Sequence, residues 1–349
     1  MKILNHILAL STAALLTGCF ENFEPDTDTS PVLCINSLIT AGQTIDVNVS
    51  RTWLFSDEES ALDHSVTDAT VTVYANGQPV GSNYIPNEGD LIRIVAESST
   101  YGTATAEVVV PHAATIGRVE IKPQVTDRYT GNSEMPGYET AVGIAFNLAT
   151  DIEIIDRPGI DNYFCIGYNW SSQAVDSDDT ADEPMPPYLS GPMFTIGSCD
   201  YASEPIFSEH IGVFETAMGN GDDSSFAFFS DSQFRDKTYT LHLNFKNNSF
   251  DVPSHDCDEA LFDCSINLYL STVSKSYYNW AIYQWNSSEG ILGELTDIGL
   301  ADPIWGYSNV STGAGVVAAQ SISKHTISLK QFLTQEICHP GADTTPLTE

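Results

Sequence analysis

The chain has 349 residues and a formal net charge of −34, from 13 lysines and arginines against 47 aspartates and glutamates. So acidic a protein is repelled by phosphate backbones and anionic lipid headgroups, which excludes nucleic acid as a partner. With 42% hydrophobic and 10% aromatic residues it has the material for real cores, which excludes a disordered chain, and its length suits two domains.

Residues 1–18 carry Lys2 and then an apolar run over residues 7–16. A bilayer-spanning helix needs roughly 20 apolar residues, so this run reads as a secretory signal peptide outside the folded protein. Its end, Leu16-Thr17-Gly18-Cys19, resembles a bacterial lipobox. In that resemblance Cys19 becomes the mature N-terminus and carries acyl chains, several of which anchor a protein lastingly where one binds reversibly. Residues 19–30 hold Glu21, Glu24, Asp26 and Asp28 among Thr, Ser, Pro and Asn, the composition of a polar tether.

From residue 31 the hydrophobic period is two. In "TIDVNVS" Ile45, Val47 and Val49 oppose Asp46, Asn48 and Ser50, and "ATVTVYANGQPV" alternates before breaking at Asn76-Gly77, a hairpin-turn dipeptide. "DLIRIVAES" and "TATAEVVVP" add two strands, so residues 31–113 read as a small immunoglobulin-like β-sandwich. Residues 114–330 read as a larger β-rich domain, with strands such as "AVGIAFNLA", "NYFCIGYNW" and "SINLYLSTV". In "TYTLHLNF" Tyr239, Leu241, Leu243 and Phe245 share one face. One helix interrupts, "SKSYYNWAIYQW", with Ser274 as its N-cap. Residues 331–349 read as a C-terminal tail. The fold class is therefore mainly β, a sandwich followed by a β-rich domain with one short helix.

Six cysteines follow Cys19: Cys34, Cys165, Cys199, Cys257, Cys264 and Cys338. An even number beyond a signal peptide predicts three disulfides, with 15 possible pairings that the sequence does not separate. The spacing does not suit zinc. The acidic, Pro-rich stretch "SSQAVDSDDTADEPMPPYLSG" reads as an exposed loop. Its Asp176, Asp178 and Asp182 offer calcium ligands but lack the glycine and terminal glutamate of an EF-hand, so a solvated loop is the better reading and no cofactor is expected.

"TGAGVVA" formally matches a dinucleotide fingerprint, yet no βαβ unit surrounds it, and a turn or bulge explains its glycines better. There is no G-x-S-x-G and no H-E-x-x-H, so no catalytic residue is nominated. The aromatic set Tyr277, Tyr278, Trp280, Tyr283, Trp285 and Trp305 reads mostly as core, with any member outside it a candidate contact.

The order of features resembles a known family. "PVLCINSLITAGQTIDVNVSRTWLF", "DATVTVYANGQPV", "SKSYYNWAIYQW" and "PIWGYSNVSTGAGVVAAQS" are similar to the Bacteroidota lipoproteins catalogued as domain of unknown function 4249. The acids behind Cys19 also resemble the surface-export signal of Bacteroidota lipoproteins. The resemblance implies a lipid-anchored outer-membrane protein, at the cell surface or on the periplasmic face, often associated with TonB-dependent transporters. It brings no catalytic residues. Two readings follow: a non-catalytic surface lipoprotein that binds a partner or ligand, or a structural one that self-assembles. A hydrolase without a recognisable signature is the third.

Overall fold

The computed structural model describes residues 30–53, 65–131, 141–172, 193–195, 198–200, 204–209, 228–253, 262–284, 306–340 and 347–348. The first block contains β1 (Leu33–Thr40), β2 (Asn48–Arg51), β3 (Thr70–Ala75), β4 (Gln78–Val80), β5 (Leu91–Ser98) and β6 (Gly102–Val109). The last four form an antiparallel sheet in the order β4-β3-β5-β6. Asn76 and Gly77 both take positive φ at the β3–β4 turn, 51° and 81°, the twist that lets two residues close a hairpin.

The second block begins with β7 (Thr115–Gly131), β8 (Ala141–Ile155), β9 (Tyr163–Ser172), β10 (Met193–Thr195), β11 (Ser198–Asp200) and β12 (Phe228–Ser230). It continues with β13 (Thr238–Pro253), β14 (Cys264–Val273), helix α1 (Lys275–Gln284), β15 (Val317–Ser328), helix α2 (Lys330–Cys338) and β16 (Leu347–Thr348). One sheet runs β10-β13-β8-β7-β16, with β11 also on β13. Another has six strands, β12-β9-β14-β15-β1-β2, and joins the two blocks. The protein is mainly β, as its alternating pattern predicts.

The join is a parallel pairing of β1 with β15, from Ser37 opposite Val317 to Thr40 opposite Gln320. One face of β15 serves two cores. Val317 and Ala319 pack with Leu33, Ile35, Ile92, Ile94, Ala104 and Ala106, whereas Ile327 packs with Phe146, Phe164, Phe245 and Leu268. Between them, on the same face, the hydroxyls of Ser321 and Ser323 donate to the carbonyls of Pro111 and Ala114 in the connection between the blocks. Residues 31–113 therefore do not close their core alone. The partition into 31–113 and 114–330 gives way to two cores on a shared sheet, because β1 takes its partner from near the C-terminus.

Of the four residues placed on one face of β13, Leu241, Leu243 and Phe245 are buried and Tyr239 is half-buried. Beyond them a bulge shifts the β13–β8 register between Phe245 and Asn248, with Asn247 at φ 59°, so that Phe250 and Val252 turn the even positions inward. Residues 330–338 correct the reading of a C-terminal tail. They form α2, which buries Phe332 and Leu333 and pairs Glu336 with Arg128 of β7. Apolar residues at 332 and 333, with 336 one turn on, give the helix a single inward stripe.

Candidate functional site

α1 lies on the outer face of the six-stranded sheet, opposite both cores. Ser274 caps it as predicted: its hydroxyl accepts from the Tyr277 N–H at 3.3 Å. Tyr278 and Ala281 are buried. The Tyr278 ring meets that of Tyr163 on β9 at 4.7 Å, so this part of the aromatic stripe is packing. Tyr277 and Trp280 remain half-buried, their rings 5.9 Å apart. They form one wall of a groove whose other walls are Asn36 and Leu38 on β1, Asp46 and Asn48 around the start of β2, and Val316 and Ala318.

The groove has a volume of about 480 Å³, within the range of small-ligand sites. Leu38, on the outer face of β1, stands 44% exposed there. The polar lining is fixed in place. Asn36 Oδ1 accepts from the Val316 N–H at 3.1 Å, and Ser37 Oγ donates to the Asp46 carbonyl at 2.6 Å. Such a surface offers aromatic and aliphatic contact with a few oriented polar atoms. The Ser37 hydroxyl is engaged by a carbonyl rather than by a base, so the groove presents no activated nucleophile.

The segment "YSNVSTGAGV" builds the floor beside it. Ala314 exchanges backbone hydrogen bonds with Leu33 and Ile35, both at 2.9 Å, and Ser311 exchanges them with Thr105 of β6. Side chains at Gly313 and Gly315 would strike the carbonyl oxygens of Leu33 and Ile35, and Gly315 has φ 101°. These glycines serve a close backbone approach, in agreement with the rejection of a dinucleotide fingerprint.

Buried acids form a separate network at the far end of β8. Asp156 accepts from Asn162 Nδ2 at 2.9 Å and from the Asp236 N–H at 2.8 Å, while Asp231 accepts from the Asn162 N–H at 2.8 Å. Burial, together with the neighbouring Asp231 charge, raises the Asp156 carboxyl above the ordinary range despite these donors. Glu204 accepts from the Tyr239 hydroxyl at 2.7 Å and the His242 N–H at 2.5 Å. Each acid has donors in a chain segment that it holds in place, which is a structural use. Among the described residues no cluster of three or more metal-ligating side chains occurs.

The three-disulfide framework requires correction. Cys338 is disulfide-bonded, but Cys34, Cys165, Cys199 and Cys264 are thiols. Cys34 and Cys165 share the outer face of the six-stranded sheet with β14 and β15 between their strands, about 14 Å apart across it at the usual strand spacing, and the register sets Cys165 level with Ile322 but Cys34 level with Ala314, about 26 Å further along. A bridge needs Cα atoms within about 7 Å. Burial pushes the thiols of Cys165 and Cys264 up to about 12, so both stay protonated and inert at neutral pH. Cys19, Cys257, Asp176, Asp178, Asp182, Trp285 and Trp305 lie outside the described residues. Sequence reasoning found Tyr277 and Trp280 but missed Asn36, Leu38 and Asp46, whose common wall depends on β1 lying beside β15.

Residues 21–326 match the family described as Domain of unknown function (DUF4249). The chain belongs to that family. The DUF4249 region thus begins ahead of β1 and ends inside β15, so it holds both strands of the parallel pair and the whole groove. No curated protein and no solved structure is significantly similar to the chain. Among the described residues no helix is long and apolar enough to cross a membrane.

Proposed function

We propose that this DUF4249 protein is a non-catalytic binding lipoprotein, anchored in the outer membrane through Cys19 and facing the cell surface, with the groove between α1 and β1 as its contact site. The carrying observation is the groove itself: about 480 Å³, walled by Tyr277 and Trp280 of α1 and by a solvent-exposed Leu38 on β1, a strand paired along both edges. A tether behind Cys19 keeps such a site near the membrane at high effective concentration, so a modest contact suffices. The chemistry suits an apolar segment of a membrane partner, and a TonB-dependent transporter is the partner proposed.

The test places a photo-crosslinking amino acid at Leu38 in the native membrane and identifies the captured chain. Capture of a β-barrel transporter, lost on Trp280→Ala, supports the reading. Capture of a second copy of this chain turns it into self-assembly. No capture, together with substrate turnover that a single His or Asp substitution abolishes, overturns it in favour of an enzyme.

A further inference from the structure

A second crevice opens where the two cores meet. It consists of two adjoining cavities of about 220 and 310 Å³ that share His112, Asn162 and Thr272. The smaller also touches Asp156 and Arg157, and the larger touches Asp161 and Lys275. Its rim is apolar: Val109, Ile155 and Ile160 are 53%, 42% and 49% exposed.

The hydrogen-bonding groups of this crevice divide unevenly. Its acids are engaged, Asp156 by Asn162 and the Asp236 N–H, and Asp161 by Arg235 at 2.7 Å. His112 faces Glu88 at 3.3 Å. Among the described residues Arg157 and Lys275 have no acidic partner. Thr272, only 3% exposed, has a hydroxyl with no hydrogen-bond partner. It sits on the polar crossing of the shared sheet, opposite Ser321. The N-terminus of α1, ten residues long, starts at Lys275 and adds its positive end. Donors are in surplus and acceptors are taken.

We infer that this crevice binds a small organic carboxylate with a short apolar tail, the carboxylate held between Arg157 and Lys275 with Thr272 turned toward it and the tail against the Val109–Ile155–Ile160 rim. Two charge-assisted donors favour an anion, and an apolar rim favours one with a hydrocarbon part over a bare inorganic ion. A threonine whose hydroxyl is unpaired in the empty crevice gains a partner only when an acceptor arrives.

The test is thermal unfolding of the purified full chain with butyrate, butyramide and inorganic phosphate, followed by titration calorimetry. Butyrate is expected to raise Tm, with butyramide and phosphate giving little or no shift. Arg157→Ala and Lys275→Ala, both at exposed positions, keep the unliganded Tm and weaken butyrate binding about tenfold or more, the loss expected for a charge-assisted hydrogen bond. Thr272→Val raises the unliganded Tm and lowers the gain from butyrate. Trp280→Ala leaves the butyrate shift intact, which separates this site from the groove. No shift with butyrate, an equal shift with butyramide, or binding unchanged in Arg157→Ala and Lys275→Ala overturns the inference. Phosphate as effective as butyrate overturns the assignment to a carboxylate.

Discussion

The two cores rest on one sheet but are made of different material. The larger is filled by phenylalanine: Phe146, Phe164, Phe207, Phe229, Phe234, Phe245, Phe250, Phe262 and Phe332 all lie in it. Among the described residues the smaller holds none and relies on Leu, Ile and Val with Ala75, Ala96, Ala104, Ala106 and Ala319. The difference teaches how each is specified. A ring core gains its energy from large buried area and from edge contacts such as Tyr168 to Phe245 at 4.7 Å. A core of small residues lets backbones approach, and the 311–316 segment uses that closeness to clasp β1 and β6 together.

The largest effect should come from emptying the ring core. Phe245→Ala is expected to cost about 3–5 kcal/mol, read as the change in urea midpoint, because Phe245 is fully buried. In the smaller core the damaging change is addition rather than removal. Gly315→Ala puts a methyl against the Ile35 carbonyl at a positive φ and should cost about 1–3 kcal/mol. If it costs nothing, the clasp is not the close approach described.

Arg128→Met strands the buried Glu336 carboxylate at the edge of the ring core. Arg128 is partly solvated, so the expected loss is about 1–2 kcal/mol by thermal unfolding rather than the larger figure for a fully buried pair.

A smaller effect separates the two regions by sign. Asp90, in the smaller region, accepts from the Asn87 N–H first, then from Tyr84 and Asn76, and these hold its carboxyl below the ordinary range. Its pKa is depressed by folding, so its contribution is complete above the unfolded value of about 3.9 and is lost as pH falls through the folded one. Asp90→Asn should therefore cost at most about 1 kcal/mol at pH 7, and the difference from wild type should vanish in acid. Asp156, raised by burial, works the other way: folding favours its protonated form, so its contribution declines as pH rises from the unfolded value through the raised one.

The smallest perturbation is chemical. Iodoacetamide at neutral pH should label the half-buried Cys34 beside the smaller core and spare Cys264 in the larger, read by mass spectrometry of the native protein. Equal labelling would mean that the ring core opens readily.

Local features were legible because they are short-ranged. Period-two runs gave the strands, Asn76-Gly77 gave its turn, and Ser274 with the spacing after it gave α1. What escaped depends on distance. No local pattern says that Ser37 pairs with Val317, and the wall of Asn36 and Leu38 in the groove follows from that pairing alone. The cysteine count misled for a similar reason: parity says that bridges are possible, whereas position on the sheet decides whether two sulfurs meet. α2 was legible but missed, since Leu329, Phe332, Leu333 and Ile337 recur at helical spacing and all pack on the larger core.

The parallel pairing of β1 and β15 also sets an order of events. β1 is among the first strands synthesised, yet one of its edges has no partner until some 280 residues later. Closing so long a loop is slow, and topologies dominated by such contacts fold late and pass through open intermediates. During that interval Ile35 and Ile39 belong to a core that is not finished, beside an edge able to pair with any extended chain. Maturation of this protein is thus paced by β15, and a chain stopped short of residue 317 leaves both the smaller core and the groove without a wall.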